Sequence, residues 1–171
     1  VHSDSQADVR QAGQAILEWY DTDMGITQKA DDSPLTQADL ASHKLIVAEL
    51  TRHWSDIPVL SEESATVPWE TRRTWQQYWL VDPLDGTKEF ISRNGEFTVN
   101  IALIRKHRPV LGVVHVPVTD VTYSGAVDVG AWRQQAGGER AQIRTRRPAT
   151  APPVIVGSRS HANPELKERL K

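Results

Sequence analysis

The sequence contains no cysteine. That absence excludes a disulfide framework, a thiolate metal site and a cysteine nucleophile together. Long apolar runs are missing as well: none approaches the roughly 18 residues a membrane-spanning helix needs. The opening Val1-His2-Ser3-Asp4 lacks the basic-then-apolar layout of a signal peptide. A cytoplasmic place is therefore expected, with peripheral contact at the inner face of the membrane left open. Neither sign of charge is in surplus, since 20 Lys and Arg stand against 22 Asp and Glu for a formal net charge of −2. No nucleic acid polymer is implied as a partner, whereas a small anion at a local site remains compatible. There is no internal repeat and no low-complexity segment. The 171 residues suffice for one domain with a real core, or for one domain plus part of another.

What is present is concentrated in residues 78–91, Tyr-Trp-Leu-Val-Asp-Pro-Leu-Asp-Gly-Thr-Lys-Glu-Phe-Ile. The β-prone run Tyr78 to Val81 is expected to stop at Asp82, because Pro83 cannot donate to a sheet ladder. Asp85-Gly86-Thr87 has the composition of a turn that opens a helix. Two carboxylates, Asp82 and Asp85, thus share one turn. Hard divalent cations take carboxylate and carbonyl oxygens, and the Leu84 carbonyl lies between the two acids. A helix start beside them offers N–H groups to a phosphate.

The spacing of Val9, Ala12, Ile16, Trp19 and Tyr20 predicts a first amphipathic helix over 7–20. Residues 21–32 read as a loop or a short irregular strand pair, with Lys29-Ala30-Asp31-Asp32-Ser33-Pro34 as a charged, solvated segment. Thr36-Gln37-Ala38-Asp39 resembles a capping box opening a second helix to about Thr51, with Leu40, Ile46, Val47 and Leu50 on its face. Asp39 is then a first-turn carboxylate favoured by the helix dipole. His43 and His53 show no metal-ligand spacing and read as surface or packing residues. Ile57 to Leu60 predicts a short strand ending in Ser61-Glu62-Glu63, where strand geometry lets only one glutamate face a given site. For this pair a solvated turn and a site residue both remain open. Residues 66–77 read as a loop or short helix, with Trp69 and Trp75 as packing anchors.

After a turn at Ser92-Arg93-Asn94-Gly95, strands are predicted over 97–104, 110–116, 121–124, 126–132 and 142–145, with hairpin-length connections. Two leading helices and consecutive strands argue an α+β fold, helices packed on a mainly antiparallel sheet. Arg144 to Pro153 reads as a linker, and 154–158 as a strand followed by Ser158-Arg159-Ser160-His161 and a helix from about Pro164. The expected division is residues 1–147 as the α+β domain, and 148–171 as the linker and first strand-helix unit of a second α/β domain.

Glu62 at one strand end, Asp82 and Asp85 on one turn, and a helix start at Gly86-Thr87 together supply what metal-assisted phosphate chemistry needs. From spacing alone, an acidic turn without chemistry stays open beside that reading. At these residues the sequence resembles the lithium-sensitive, magnesium-dependent phosphatase superfamily that includes inositol monophosphatase. Asp82-Pro83-Leu84-Asp85-Gly86-Thr87 is similar to its signature turn, and Ser61-Glu62-Glu63 to its upstream acid. The likeness extends through Lys29-Ala30-Asp31, Ser33-Pro34, Thr36, Pro58 to Glu63, Tyr78 to Ile91, Arg93 to Ile104 and Ser158 to His161. It is greatest toward the bacterial 3′(2′),5′-bisphosphate nucleotidases, which convert adenosine 3′,5′-bisphosphate to AMP.

The resemblance implies a fold, the N-terminal part of a layered α/β/α/β/α sugar-phosphatase architecture. It implies Mg²⁺ as cofactor, two or three ions in the complete enzyme, held by Glu62, Asp82, the Leu84 carbonyl and Asp85. It implies that Gly86 and Thr87 amides hold the phosphate, beside Glu62, Leu84 and Asp85, and that Thr87 with Asp39 activates the attacking water. Lys29 falls where the family places a basic residue near the site. One departure stands out: the family's later metal-binding aspartate, in a Trp-Asp motif, has no counterpart, since Trp132 is followed by Arg133. The resemblance therefore implies a C-terminally truncated chain of impaired activity, with the first metal's ligands intact. Alternatives are an inositol or fructose bisphosphate phosphatase of the same superfamily, or an inactive metal-binding or interaction fragment.

Overall fold

The computed structural model of the chain describes residues 2–20, 22, 25–28, 34–154 and 168. Lys29 to Ser33, residues 155–158 of the strand expected over 154–158, Ser158 to His161 and the start of the helix from Pro164 lie outside the described residues. Helix α1 (His2–Tyr20) begins earlier than the expected Ala7. Its Val9, Ala12 and Ile16 are fully buried, and Trp19 and Tyr20 pack against the core. Strands β1 (Thr27–Gln28) and β2 (Pro34–Leu35) form a two-residue antiparallel pair; β1 lies within the 21–32 segment read as a loop or irregular strand pair, and β2 follows it. Helix α2 (Gln37–His53) starts on the expected capping box: Thr36 N–H donates to Asp39 Oδ2 at 2.7 Å, and Asp39 N–H donates back to Thr36 Oγ1 at 3.4 Å.

The remaining elements among the described residues are β3 (Val59–Ser61), α3 (Trp69–Arg72), β4 (Gln77–Asp85), α4 (Thr87–Ile91), β5 (Thr98–Arg105), β6 (Arg108–Val116), a 3-10 turn (Pro117–Thr119), β7 (Val121–Ala126), β8 (Gly130–Gln135) and β9 (Ala141–Ile143). Among the described residues, β3 to β9 form one sheet in chain order. Only the β3–β4 pairing is parallel; each other neighbour is antiparallel. The fold is α+β, as expected. Short connections explain the order: Lys106 and His107 both take positive φ and close the β5–β6 hairpin in two residues.

Alternation along the strands decides where the core lies. Trp79 and Val81 on β4, Val99, Ile101 and Leu103 on β5, and Leu111 and Val113 on β6 point to the helices and are buried with Ile46 and Leu50 of α2. Each such aliphatic side chain contributes about 1.5–3 kcal/mol by burial. The residues between them face the opposite way, where Leu80, Val114 and Tyr123 are exposed. That outer face is open and partly apolar. Residues 144–153, read as a linker, carry neither helix nor strand and are exposed.

Three expectations are corrected. β4 does not stop at Asp82 but runs to Asp85, because a bulge absorbs Pro83: Asp82 pairs with Asn100 and Asp85 with Thr98, leaving Pro83 and Leu84 opposite one residue. The predicted 126–132 strand is divided, since Asp128 takes φ 61° and turns the chain between β7 and β8. Trp69 is no packing anchor: it is 63% exposed, because α3 buries none of its residues, and Arg72 lies over its ring. Trp75 does pack, half-buried against Tyr78 at 5.7 Å between ring centroids.

Candidate active site

The bulge places the acids. Asp82 keeps the outward parity of Leu80, while Leu84, beyond the bulge, turns into the core and is 3% exposed. Asp85 ends the strand exposed to solvent. Pro83 lacks an N–H, and its carbonyl accepts a 2.8 Å hydrogen bond from the buried Ser42 hydroxyl of α2. Glu62 follows β3, and its N–H donates to Val81 O at 3.0 Å, extending the parallel pairing by one residue toward Asp82. Glu62 and Asp82 line one end of a cavity of about 500 Å³ on the outer sheet face, with Leu80, Asn100, Ala102 and Val114 along it.

The carboxyl of Asp82 is pushed up to about 7. Burial is the largest cause, followed by the charges of Glu62 and Asp85; a hydrogen bond from the Leu84 N–H works the other way. Asp82 Oδ1 is buried and has no hydrogen-bond partner. A buried carboxylate oxygen without a donor, beside two more carboxylates, is a costly arrangement that a cation would relieve. The donor set fits a hard divalent ion. Among the described residues, however, no three His, Asp or Glu side chains already stand in a metal-holding arrangement. The acids share a strand end without closing into a cage.

Asp39 is 1% exposed and uses its two oxygens differently. Oδ2 accepts from the Thr36 N–H and hydroxyl at 2.7 and 2.5 Å, whereas Oδ1 faces the Thr87 hydroxyl at 3.3 Å. That hydroxyl is also 3.4 Å from the Leu84 carbonyl. One proton facing two acceptors at long range is loosely held. Gly86 makes the approach feasible: at φ 97° and ψ 44° it turns the chain from β4 into α4. A Cβ there would lie 3.0 Å from Glu96 O and 3.3 Å from Phe97 Cα, so only glycine fits. Phe90, Phe97 and Tyr20 pack mutually at 5.2–5.3 Å and fix α4 below this turn.

The structure thus brings Glu62, Asp82, Asp85, Gly86, Thr87 and Asp39 to one end of β4, while Lys29 lies outside the described residues. Sequence reasoning missed the polar supports. Ser42 and His43 both reach from α2, His43 Nδ1 lying 2.8 Å from Ser61 Oγ beside Glu62. Asn100 donates from Nδ2 to Asp85 Oδ2 at 3.0 Å. The available signal was faint: polar residues on the helix face that follows Asp39, and an asparagine interrupting an otherwise apolar strand.

The profile of the inositol monophosphatase family matches residues 3–171. The 3′(2′),5′-bisphosphate nucleotidase CysQ of Escherichia coli strain K12 is 54% identical over 164 residues, covering 95% of this chain and 65% of the relative. The protein of the same name from Buchnera aphidicola is 42% identical, over 95% of this chain and 60% of that protein. Among solved structures, CysQ from Bacteroides thetaiotaomicron, described as a bacterial member of the inositol monophosphatase family, superposes with a TM-score of 0.77 at 38% identity, over 98% of this chain and 66% of its own. The extragenic suppressor protein SuhB of Bartonella henselae gives 0.71 at 27% identity, over 85% and 55%. The chain spans about 65% of the length of the Escherichia coli relative. Among the described residues no helix is long and apolar enough to cross a membrane. With a profile match over nearly its whole length, the chain belongs to the inositol monophosphatase family.

Proposed function

We propose that this chain is the acid-bearing part of a magnesium-dependent phosphomonoesterase that removes the 3′-phosphate of adenosine 3′,5′-bisphosphate to give AMP. The observation that carries the chemistry is Asp82: a buried oxygen without a donor, pressed by the charges of Glu62 and Asp85. The choice of substrate rests on the 54% identity to a relative named 3′(2′),5′-bisphosphate nucleotidase. Glu62, Asp82, Asp85 and the Leu84 carbonyl would hold Mg²⁺. When bound, the metal offsets charge on the phosphoryl oxygens and makes water more acidic.

The residues of the chain itself do the rest. Gly86 and Thr87 N–H groups, at the start of α4, receive phosphate oxygens. Thr87 passes the proton of the attacking water to Asp39 Oδ1, the oxygen its hydroxyl faces at 3.3 Å, while Oδ2 accepts from Thr36. Burial excludes bulk water from Asp39, so the base is not levelled by solvent. The division of labour between the two Asp39 oxygens supports this role.

The test uses a chain extended to the length of its curated relatives. Orthophosphate release from adenosine 3′,5′-bisphosphate should exceed release from inositol 1-phosphate or fructose bisphosphate. Preference for the inositol ester would sink the nucleotidase reading and leave the wider phosphatase reading standing. The 171 residues alone are expected to turn over weakly, because no Trp-Asp motif occurs in them. Robust turnover by them alone would refute that expectation, whereas a metal-binding chain without turnover in the extended form would favour an inert module.

A further inference from the structure

We infer that Asn100 is a positioning residue of the acidic site: clamped by Thr98, its carboxamide fixes one oxygen of Asp85 and leaves the other for a divalent cation. This rests on the reading of Asp85 as a cation ligand.

The geometry begins with the bulge in β4. Asp82 is opposite Asn100 and Asp85 opposite Thr98, so four polar side chains occupy two adjacent cross-strand pairs. Asn100 stands between the acids, across from one and bonded to the other. Its Nδ2 donates to Asp85 Oδ2 at 3.0 Å, and its Oδ1 accepts from the Thr98 hydroxyl at 3.1 Å. A carboxamide has one donating and one accepting end, so a hydroxyl donating to the oxygen leaves the amine to face Asp85. Thr98 therefore sets the orientation, and Asn100 transmits it.

An uncharged donor suits the place. A lysine or arginine here would hold Asp85 equally well but would cancel the charge a cation needs. The amide orients the carboxylate and leaves its charge intact. Asp85 is exposed at a strand end, where an unrestrained side chain would lose rotamer freedom on binding an ion. Asn100 has restrained it beforehand. Its own side chain lies on the outer sheet face and not in the core, so its removal should spare the fold.

The experiment is titration calorimetry of Mg²⁺ into the wild-type chain, Asn100→Ala, Thr98→Val and the double variant, with melting temperatures in metal-free buffer. Asn100→Ala should weaken Mg²⁺ about tenfold, the loss of one charge-assisted hydrogen bond. Thr98→Val should weaken it by about threefold, and in the Asn100→Ala background it should change nothing further, because Thr98 acts through Asn100. Metal-free melting should stay within about 2 °C of wild type for each variant, as for other surface substitutions. If Asn100→Ala does not fold, Asn100→Ser takes its place in the same cycle. Unchanged Mg²⁺ affinity in Asn100→Ala, additive effects of the pair, or a melting loss without an affinity loss would each overturn the inference while leaving the phosphatase reading intact. A wild-type chain with no saturable Mg²⁺ binding would overturn both.

Discussion

The Thr87 hydroxyl lies 3.3 Å from Asp39 Oδ1, so the first residue of α4 and the first turn of α2 meet over the end of β4. The same carboxylate caps a helix and faces the proposed reaction centre. Loss of the carboxylate should therefore cost both stability and chemistry, whereas loss of the Thr87 hydroxyl should cost chemistry alone.

Asp39→Ala removes the side-chain acceptor of the capping box and strands the buried Thr36 N–H and hydroxyl, while the bond from the residue-39 N–H to Thr36 Oγ1 can persist. An unsatisfied buried donor costs about 1–3 kcal/mol. A loss of roughly 2–3 kcal/mol is expected in urea unfolding. Thr87→Val keeps the cap, so stability should hold within about 0.5 kcal/mol. Phosphomonoester hydrolysis by the extended chain should nonetheless fall by about 10²-fold or more with Thr87→Val. Unaltered hydrolysis would remove Thr87 from the proton path.

Asp82 gives a pH dependence whose sign is fixed. Its folded pKa, about 7, lies above the ordinary 3.8, so the folded chain holds a proton that the unfolded chain releases. The stability this contributes is present below about pH 4 and is lost as pH rises through about 7. Asp82→Asn keeps the shape and cannot ionise. Its metal-free melting temperature should exceed wild type at pH 8, with the gap closing toward pH 5. An equal gap at both pH values would contradict a carboxyl raised by burial and by the neighbouring Glu62 and Asp85.

His115 predicts the opposite slope. It is 3% exposed, Nδ1 lies 3.0 Å from Thr122 Oγ1, and its ring is pressed against α1 so closely that a Cβ on Gly13 would stand 2.6 Å from Cδ2. Its pKa is lowered, first by burial; Asp120 raises it, Arg10 lowers it, and the Val121 backbone raises it. The folded chain keeps it neutral, so stability is full above about 6.5 and falls as pH drops through the folded value. Replacing His115 by Phe should remove that fall between pH 7 and 5, as the difference between variant and wild-type melting curves. A difference independent of pH would refute the assignment.

The outer sheet face predicts association. Leu80, Val114 and Tyr123 are 39–42% exposed along the apolar part of the 500 Å³ cavity or beside it. Contiguous exposed apolar surface favours contact between copies. Sedimentation velocity should show concentration-dependent association that Leu80→Lys with Val114→Lys suppresses. A monodisperse monomer at all concentrations would count against this.

Local chemistry was legible in the sequence, and long-range burial was not. The capping box at Thr36 to Asp39 and the Gly86 turn involve neighbours in the chain, so residue types alone indicate them. Pro83 misled because proline signals a strand end, while here Ser42, distant in sequence, accommodates it in a bulge. Trp69 misled because size suggests burial, but α3 lies outside the core. Asn100, Ser42 and His43 act across elements, and no spacing rule links them to the Asp85 carboxylate, the Pro83 carbonyl and the Ser61 hydroxyl they bond.

A cation site formed by Glu62, Asp82 and Asp85 is tested by titrating Mg²⁺ into the wild-type chain and into Asp82→Asn by calorimetry at pH 8, where Asp82 is mostly ionised. The expected result is saturable binding to the wild type, weakened at least about 100-fold in Asp82→Asn, as for a lost buried charged partner. No saturable binding to the wild type, or equal binding to both chains, would contradict the account.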